Sequence, residues 1–203
     1  AWLLEYTAQV MATVPAALNS HSPELCISEA AYGTKLAVAT AGCGSKYPKH
    51  VDNSGSPDQR KLTMIYYLNP EWAPAMGGHL RLHLGQIDDE PVDITPEGDR
   101  LVMFWSDLCV HEVLPNLAPI GDRARGDRYA LTLWLVSDSA SQICDQSQPA
   151  WQTVLAHFPR DRVSSSGKNS ADERDQASSN EVERILSAHT VEPGSWTMLL
   201  NAQ

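Results

Sequence analysis

The sequence predicts a mainly β domain with flanking helices, built as an antiparallel sandwich or barrel. Three observations predict it. Between Thr34 and Ser137, roughly seven short β-prone runs are separated by Pro, Gly, Asp or Asn. One of them, HLRLHLG (79–85), alternates strictly, with Leu80, Leu82 and Leu84 on one side and His79, Arg81 and His83 on the other. No apolar run approaches the roughly eighteen residues that a membrane-spanning helix requires.

Composition narrows the function. A chain of 203 residues fits one domain with some decoration, or at most two small ones. Its 42% apolar content and six tryptophans can build a core. Fifteen basic against 25 acidic residues leave a net charge of −10, so neither nucleic acid nor a membrane is expected as a partner. No signal peptide opens the sequence. Cys26, Cys43, Cys109 and Cys144 form no CxxC and are read as free thiols of a reducing compartment, hence a cytoplasmic or nuclear location.

Along the chain, Leu3, Tyr6, Val10 and Val14 recur at helical spacing and predict an amphipathic helix over 2–14, ended by Pro15. TKLAVAT (34–40) is the first strand, followed by the AGCG break. LTMIYYLN (62–69), HLRLHLG, PVDIT (91–95), RLVMFW (100–105), HEVL (111–114) and RYALTLWLVS (128–137) follow. Past Ser137 the pattern fades. Residues 158–180 are polar and Ser-rich and read as a linker; 180–189 predict a short helix and 194–200 a last strand. The expected organisation is helical support over 1–33, the β core over 34–137 and a C-terminal extension over 138–203.

The chemistry starts from His50-Val51-Asp52 in KYPKHVDN (46–53). Alone, such a triplet is more often an ordinary polar bend. On a strand, however, residues i and i+2 share a side at about 6–7 Å, so an imidazole and a carboxylate can face one point. A facing strand can supply a third ligand, and His111 at the head of HEVL is the candidate. Two histidines and one carboxylate leave coordination positions open, which suits non-haem Fe(II). Zinc more often takes a closed tetrahedral set or three ligands plus water. His21, His79, His83, His157 and His189 lack such a context and are read as surface or core residues.

HVDN, TMIYYLNPEW, GGHLRL, DITPEGDRLVMFWSD, HEVLP and RYALTLW follow one another in an order that resembles the catalytic domain of the prolyl hydroxylases that modify hypoxia-inducible factor, with their protist and bacterial relatives. The resemblance covers about residues 34–137. It implies a double-stranded β-helix (jelly-roll) core and a dioxygenase using Fe(II), 2-oxoglutarate and O₂, with ascorbate as reductant. It implies His50, Asp52 and His111 as the iron and catalytic triad. Arg128 is implied as the grip on the distal carboxylate of 2-oxoglutarate and Tyr67 as the phenol sharing it. A guanidinium suits that role because it binds a carboxylate bidentately and stays charged. On the last strand Arg128, Thr132 and Trp134 fall on one face; Thr132 is placed at the cosubstrate and Leu80 in the pocket wall. Arg123 and Arg125 are alternatives for the clamp. Arg60 and Trp134 match positions near the substrate entrance, although core packing is as good a reading for Trp134. Gly77-Gly78 is read as a turn, and Phe104 and Trp105 as core.

The implied substrate is a protein presenting a proline: a transcription factor, a ubiquitin-ligase adaptor or an elongation factor, with a role extending to oxygen sensing. Two other readings stand beside it: the same chemistry on another amino acid or a small molecule, or a non-catalytic metal-binding jelly-roll that serves as an interaction module. Two features depart from the animal pattern. Thr40 stands where animal members carry a tyrosine near the cosubstrate, with Tyr47 as a stand-in. PNLAPIGDRARGD (115–127) lengthens the stretch between His111 and Arg128, beside the pocket rim.

Overall fold

The structure, a computed structural model, describes residues 2–121 and 123–158. Its elements are α1 (Trp2–His21), β1 (Ile27–Ala39), β2 (Tyr47–His50), β3 (Arg60–Tyr67), β4 (Leu80–His83), β5 (Val92–Ile94), β6 (Leu101–Trp105), β7 (Val110–Val113), the one-turn α2 (Arg123–Gly126), β8 (Arg128–Ser137) and α3 (Pro149–Ala156). Eight strands form two four-stranded antiparallel sheets, in the orders β1-β8-β3-β6 and β2-β7-β4-β5. Strands distant in sequence pair within each sheet in the manner of a jelly roll, so the fold is the mainly β double-stranded β-helix with flanking helices. Among the described residues no helix is long and apolar enough to cross a membrane.

Three apolar clusters hold the layers. Between the sheets, Ile65, Tyr67, Phe104 and Ala130 meet Leu80 and Leu82. On the outer face of the first sheet, Val10 and Met11 of α1 cover Leu62, Met64, Leu131, Leu133 and Leu135. Beside the second sheet, Trp151, Val154 and Phe158 pack on Val51 and Val110. Alternation on β3 and β8 sends one set of side chains to α1 and the other to the interior.

The helix predicted to stop at Pro15 runs on to His21 with the proline inside it. Leu18 continues the apolar stripe of Leu3, Tyr6 and Val14 against the sheet, and that packing outweighs the roughly 3 kcal/mol that an internal proline costs. The first strand begins seven residues earlier than predicted, at Ile27 rather than Thr34. Its early part, ISEAAYG, has weak β propensity and is held by pairing with β8, with a register shift between Ile27 and Tyr32. The alternating run 79–85 forms a strand only over Leu80–His83, and Leu84 is exposed. Trp105, expected in the core, is 41% exposed. It lies opposite Leu62 on the edge strand, where the Lys61 ammonium covers its ring at 5.1 Å. The helix α3 has no counterpart among the elements the sequence predicts. The expected linker beyond residue 158, the helix over 180–189 and the strand over 194–200 lie outside the described residues.

One buried ion pair ties the C-terminal segment to the sheets. Lys61 Nζ donates to Asp107 Oδ2 at 2.8 Å, and the Cys144 amide donates to the same oxygen at 2.7 Å. Asp107 is fully buried and Lys61 nearly so. Replacing one partner of such a pair strands the other charge in the interior. Asp107→Ala is therefore expected to lower the unfolding free energy by about 3–5 kcal/mol, read from the denaturant midpoint.

Candidate metal and cosubstrate site

His50 ends β2 and His111 lies on β7, and the two are direct cross-strand partners. The third ligand expected from a facing strand thus comes from a neighbouring strand of the same sheet. Asp52 follows two residues after His50. One ligand atom from each of the three lies within 4.8 Å of the other two, and all three residues are buried.

The backbone fixes which nitrogen each imidazole offers. His50 Nδ1–H donates to Pro48 O at 2.8 Å and His111 Nδ1–H donates to Cys109 O at 2.9 Å. A carbonyl can only accept, so the proton of each neutral ring sits on Nδ1 and Nε2 is the nitrogen available to a metal. Both face Asp52 Oδ1, at 3.6 Å from His50 and 3.9 Å from His111, beyond hydrogen-bond reach. The other carboxylate oxygen is engaged elsewhere. Thr63 Oγ1 donates to Asp52 Oδ2 at 2.6 Å and Trp134 Nε1 donates to it at 3.1 Å. Thr63 and Trp134 are themselves cross-strand partners on β3 and β8, so both donors come from the opposite sheet.

Burial acts against the Asp52 carboxylate, but His111, His50 and the Thr63 hydroxyl together hold its pKa well below the usual carboxylate range. Burial takes His111 down to about 4, despite the pull of Asp52, which leaves the imidazole neutral and able to ligate. Burial, then Asp52, pushes the nearby Cys109 thiol up to about 12, so it stays a protonated thiol. Two imidazoles that each turn Nε2 inward and one carboxylate fit a divalent ion that keeps further positions open.

A cavity of about 380 Å³ opens beside this cluster. Alternate residues of β8, Arg128, Ala130, Thr132 and Trp134, line it in a row from the guanidinium to the indole beside Asp52. Leu80 and Ile65 wall it. Arg128 is 4% exposed; its Nε donates to Gly78 O at 2.7 Å and its Nη2 to the Tyr67 phenol oxygen at 3.3 Å. The guanidinium also lies 5.0 Å from the centre of the Tyr67 ring. Among the described residues no carboxylate pairs with it. Burial depresses the Arg128 pKa, offset by Tyr67, yet a guanidinium remains charged. Burial raises the Tyr67 phenol, so it keeps its proton and can donate. A buried cation opening on the cavity, with the Tyr67 phenol behind it, fits the far carboxylate of a dicarboxylic acid.

The sequence model of the 2OG-Fe(II) oxygenase superfamily matches residues 35–136, half of the chain. The chain belongs to that superfamily. Fe(II), 2-oxoglutarate and O₂ are accordingly its cofactor and cosubstrates. The hypoxia-inducible factor prolyl hydroxylase of Caenorhabditis elegans is 43% identical over 100 residues, covering 48% of this chain and 12% of that protein. A solved prolyl hydroxylase from Trichoplax adhaerens, in complex with a hypoxia-inducible factor oxygen degradation domain peptide, aligns with a TM-score of 0.56 and 31% identity over 68% of this chain and 57% of that one. A prolyl-4-hydroxylase structure from Pseudomonas putida aligns with a TM-score of 0.55 and 27% identity, covering 67% and 66%. The chain spans only 12% to 36% of the length of the curated relatives it matches.

The other residues expected at the site of this oxygenase are only partly brought together. Arg60 and Trp134 both line the cavity, but they are buried, with the guanidinium 5.4 Å from the indole centre and ion-paired to Asp58. Trp134 is more than packing, since its N–H holds Asp52. Arg125 is exposed and lies 3.7 Å from Glu71, away from the clamp; the Arg123 side chain is not among the described ones. Thr40 is absent from the cavity wall, and its carbonyl accepts from Ser45 at 3.2 Å instead. Tyr47 does line the cavity, edge-on to His50 at 4.6 Å. None of the described residues of the long loop after Val113 lines the cavity. The loop packs on the AGCG turn, with the Gly42 amide donating to Ala118 O and the Asn116 amide to Ser45 O.

Two positioning residues are missing from the set that sequence reasoning proposes. Thr63 is fully buried, and its hydroxyl also meets Ser106 at 2.8 Å. A signal for it exists, because Thr63 shares strand parity with Tyr67. Asn53 shows in the sequence only as the last letter of HVDN. Its side chain donates to Arg60 O at 2.6 Å and accepts from the Gly55 amide, fixing the turn after Asp52.

Thr63→Val keeps the shape but removes the shorter donor to Asp52 Oδ2. It is expected to weaken Fe(II) or Mn(II) binding by about 10–100-fold, measured by metal titration, with the fold retained. Arg128→Ala is expected to weaken 2-oxoglutarate binding by about 100-fold or more while metal affinity changes little. Titrating 2-oxoglutarate into the Mn(II) protein without oxygen checks it.

Proposed function

We propose that this chain is an Fe(II)- and 2-oxoglutarate-dependent prolyl hydroxylase acting on a protein substrate. One observation carries the reading: a buried His50–Asp52–His111 cluster and a buried Arg128 without a carboxylate partner among the described residues open on the same cavity. Its relatives named as prolyl hydroxylases support the choice of proline.

In this reading His50 Nε2, Asp52 Oδ1 and His111 Nε2 hold the iron. O₂ is the oxidant; a bound Fe(II) would activate it, with 2-oxoglutarate giving up two electrons as it loses CO₂. In balance, one O₂ and one 2-oxoglutarate convert a C–H into C–OH and leave succinate and CO₂, with ascorbate as the reductant that restores iron oxidised in uncoupled turnovers. The protein's own contribution is positional. Thr63 and Trp134 keep Asp52 Oδ2 occupied, so only Oδ1 is offered to the metal. Arg128 and Tyr67 orient the cosubstrate by its distal carboxylate, with Thr132 alongside and Leu80 as an apolar wall. Arg60, Trp134 and Tyr47 line the cavity on the iron side, where a prolyl ring can be presented.

A transcription factor, a ubiquitin-ligase adaptor and an elongation factor are the candidate substrate proteins, the first of which would make the enzyme an oxygen sensor. Cys26, Cys43, Cys109 and Cys144 are all free thiols, which supports action in a reducing compartment, the cytoplasm or nucleus.

Mass spectrometry of proline-containing substrates incubated with Fe(II), ascorbate and 2-oxoglutarate tests the reading. The expected result is one added oxygen on a prolyl residue and succinate formed with it. His111→Ala is expected to lose both. Full 2-oxoglutarate turnover in that variant, or an oxygen added only to non-prolyl residues, overturns the assignment.

A further inference from the structure

The charge on the cavity walls is mostly positive. The side chains lining it include Lys35, Lys46, Arg60 and Arg128, and the single carboxylate among them is Asp52. This contrasts with the net charge of −10 of the whole chain. Two of the four cations are already engaged, since Arg60 is paired with Asp58 and Arg128 faces the cosubstrate. Lys35 and Lys46 remain. Both are exposed, and among the described residues neither meets a carboxylate.

Their positions place them at the mouth. Lys35 pairs across β1 and β8 with Thr132, a cavity residue, so its side chain leaves the strand on the cavity side. Its ammonium reaches the Tyr47 ring at 5.5 Å, across the opening from β1 to β2. Lys46 directly precedes Tyr47. Ala37 and Ala39, paired with Ala130 and Arg128, share that face of β1, while Leu36 and Val38 alternate to the other side. β1 is an edge strand of its sheet, so nothing among the described strands covers that side.

We infer that the mouth flanked by Lys35 and Lys46 selects an acidic peptide, one carrying Asp or Glu beside the target proline. The inference rests on the prolyl hydroxylase reading for the proline and on charge complementarity for its neighbours. Clustered charge in a concave opening raises the encounter rate and chooses among partners more than it adds affinity. Anionic side chains flanking the proline would lie against the two ammonium groups. A basic segment would be repelled there.

The test uses fluorescein-labelled twelve-residue peptides with a central proline. One is flanked by Asp and Glu, one by Asn and Gln, and one by Lys. Binding to the Mn(II), 2-oxoglutarate-loaded full chain without oxygen is read by anisotropy, so the result does not depend on hydroxylation. The acidic peptide is expected to bind about three- to tenfold more tightly than the amide peptide at low salt, with the gap closing as salt is raised. In Lys35→Glu/Lys46→Glu the preference is expected to vanish or reverse. Equal binding of the acidic and amide peptides, or a preference that survives in the double variant, overturns the inference. A loss of 2-oxoglutarate affinity in that variant as large as the loss for the peptide also overturns it, since the lysines would then serve the cosubstrate. Failure of the prolyl reading shows differently: the acidic peptide is selected, yet no oxygen is added to it in the aerobic Fe(II) reaction.

Discussion

The structure turns on one buried carboxylate. Asp52 sits between the two sheets, with Oδ1 facing the histidines of one and Oδ2 bonded by the threonine and indole of the other. Removing a carboxylate from water costs several kcal/mol unless donors replace the lost hydration. Here the replacement donors come from strands far apart in sequence. The register His50↔His111 and the register Thr63↔Trp134 must therefore both be correct for the charge to be tolerated. A slip of one residue in either pair would turn the donors to the other face and leave the carboxylate uncompensated. The residue that holds the metal is thus also a check on sheet assembly.

This division of the two oxygens has a chemical consequence. With Oδ2 committed to Thr63 and Trp134, the aspartate offers a single oxygen, and with each Nδ1 committed to a backbone carbonyl, each histidine offers a single nitrogen. Among the described residues the cluster supplies three donor atoms. Cys109, two residues before His111, does not add a fourth, because burial and Asp52 keep its thiol protonated. Coordination positions left free in this way are what a cosubstrate and oxygen require.

Much of this is legible in the sequence, for local reasons. Strands bounded by Gly, Pro and Asp at short spacing announce the antiparallel core, and β8 is found over the predicted residues 128–137. The spacing of His50 and Asp52 is readable because both belong to one short segment. What cannot be read is pairing between segments. Nothing local says that β2 and β7 are neighbours, so the sequence places His111 across the sandwich. Nothing local says that Trp134 points its N–H at Asp52 rather than into the core. Pro15 misleads for the same reason: the local cost of a proline is visible, while the sheet that Leu18 packs on is not. The helix α3 has buried Trp151 and Val154 but only eight residues, too few for its period to stand out.

The glycine pair before β4 shows how a local reading can be correct and incomplete. Gly77-Gly78 reads as a turn, and both residues do have positive φ, of 66° and 67°. A Cβ on Gly77 would stand 2.4 Å from Pro115 O, a backbone atom that cannot step aside. A Cβ on Gly78 would stand 3.0 Å from Arg128 Cδ, in the stem of the clamp itself. The Gly78 carbonyl meanwhile accepts from Arg128 Nε. A buried guanidinium without a carboxylate is costly, and this carbonyl, the Tyr67 oxygen and the Tyr67 ring supply only neutral partners. The turn therefore does two things at once: its missing side chain lets the arginine approach, and its backbone orients one edge of the guanidinium. Among the described residues no carboxylate meets this charge, and the cavity gives an anion access to it. The guanidinium thereby ties the turn, the last strand and the cosubstrate cavity into one device.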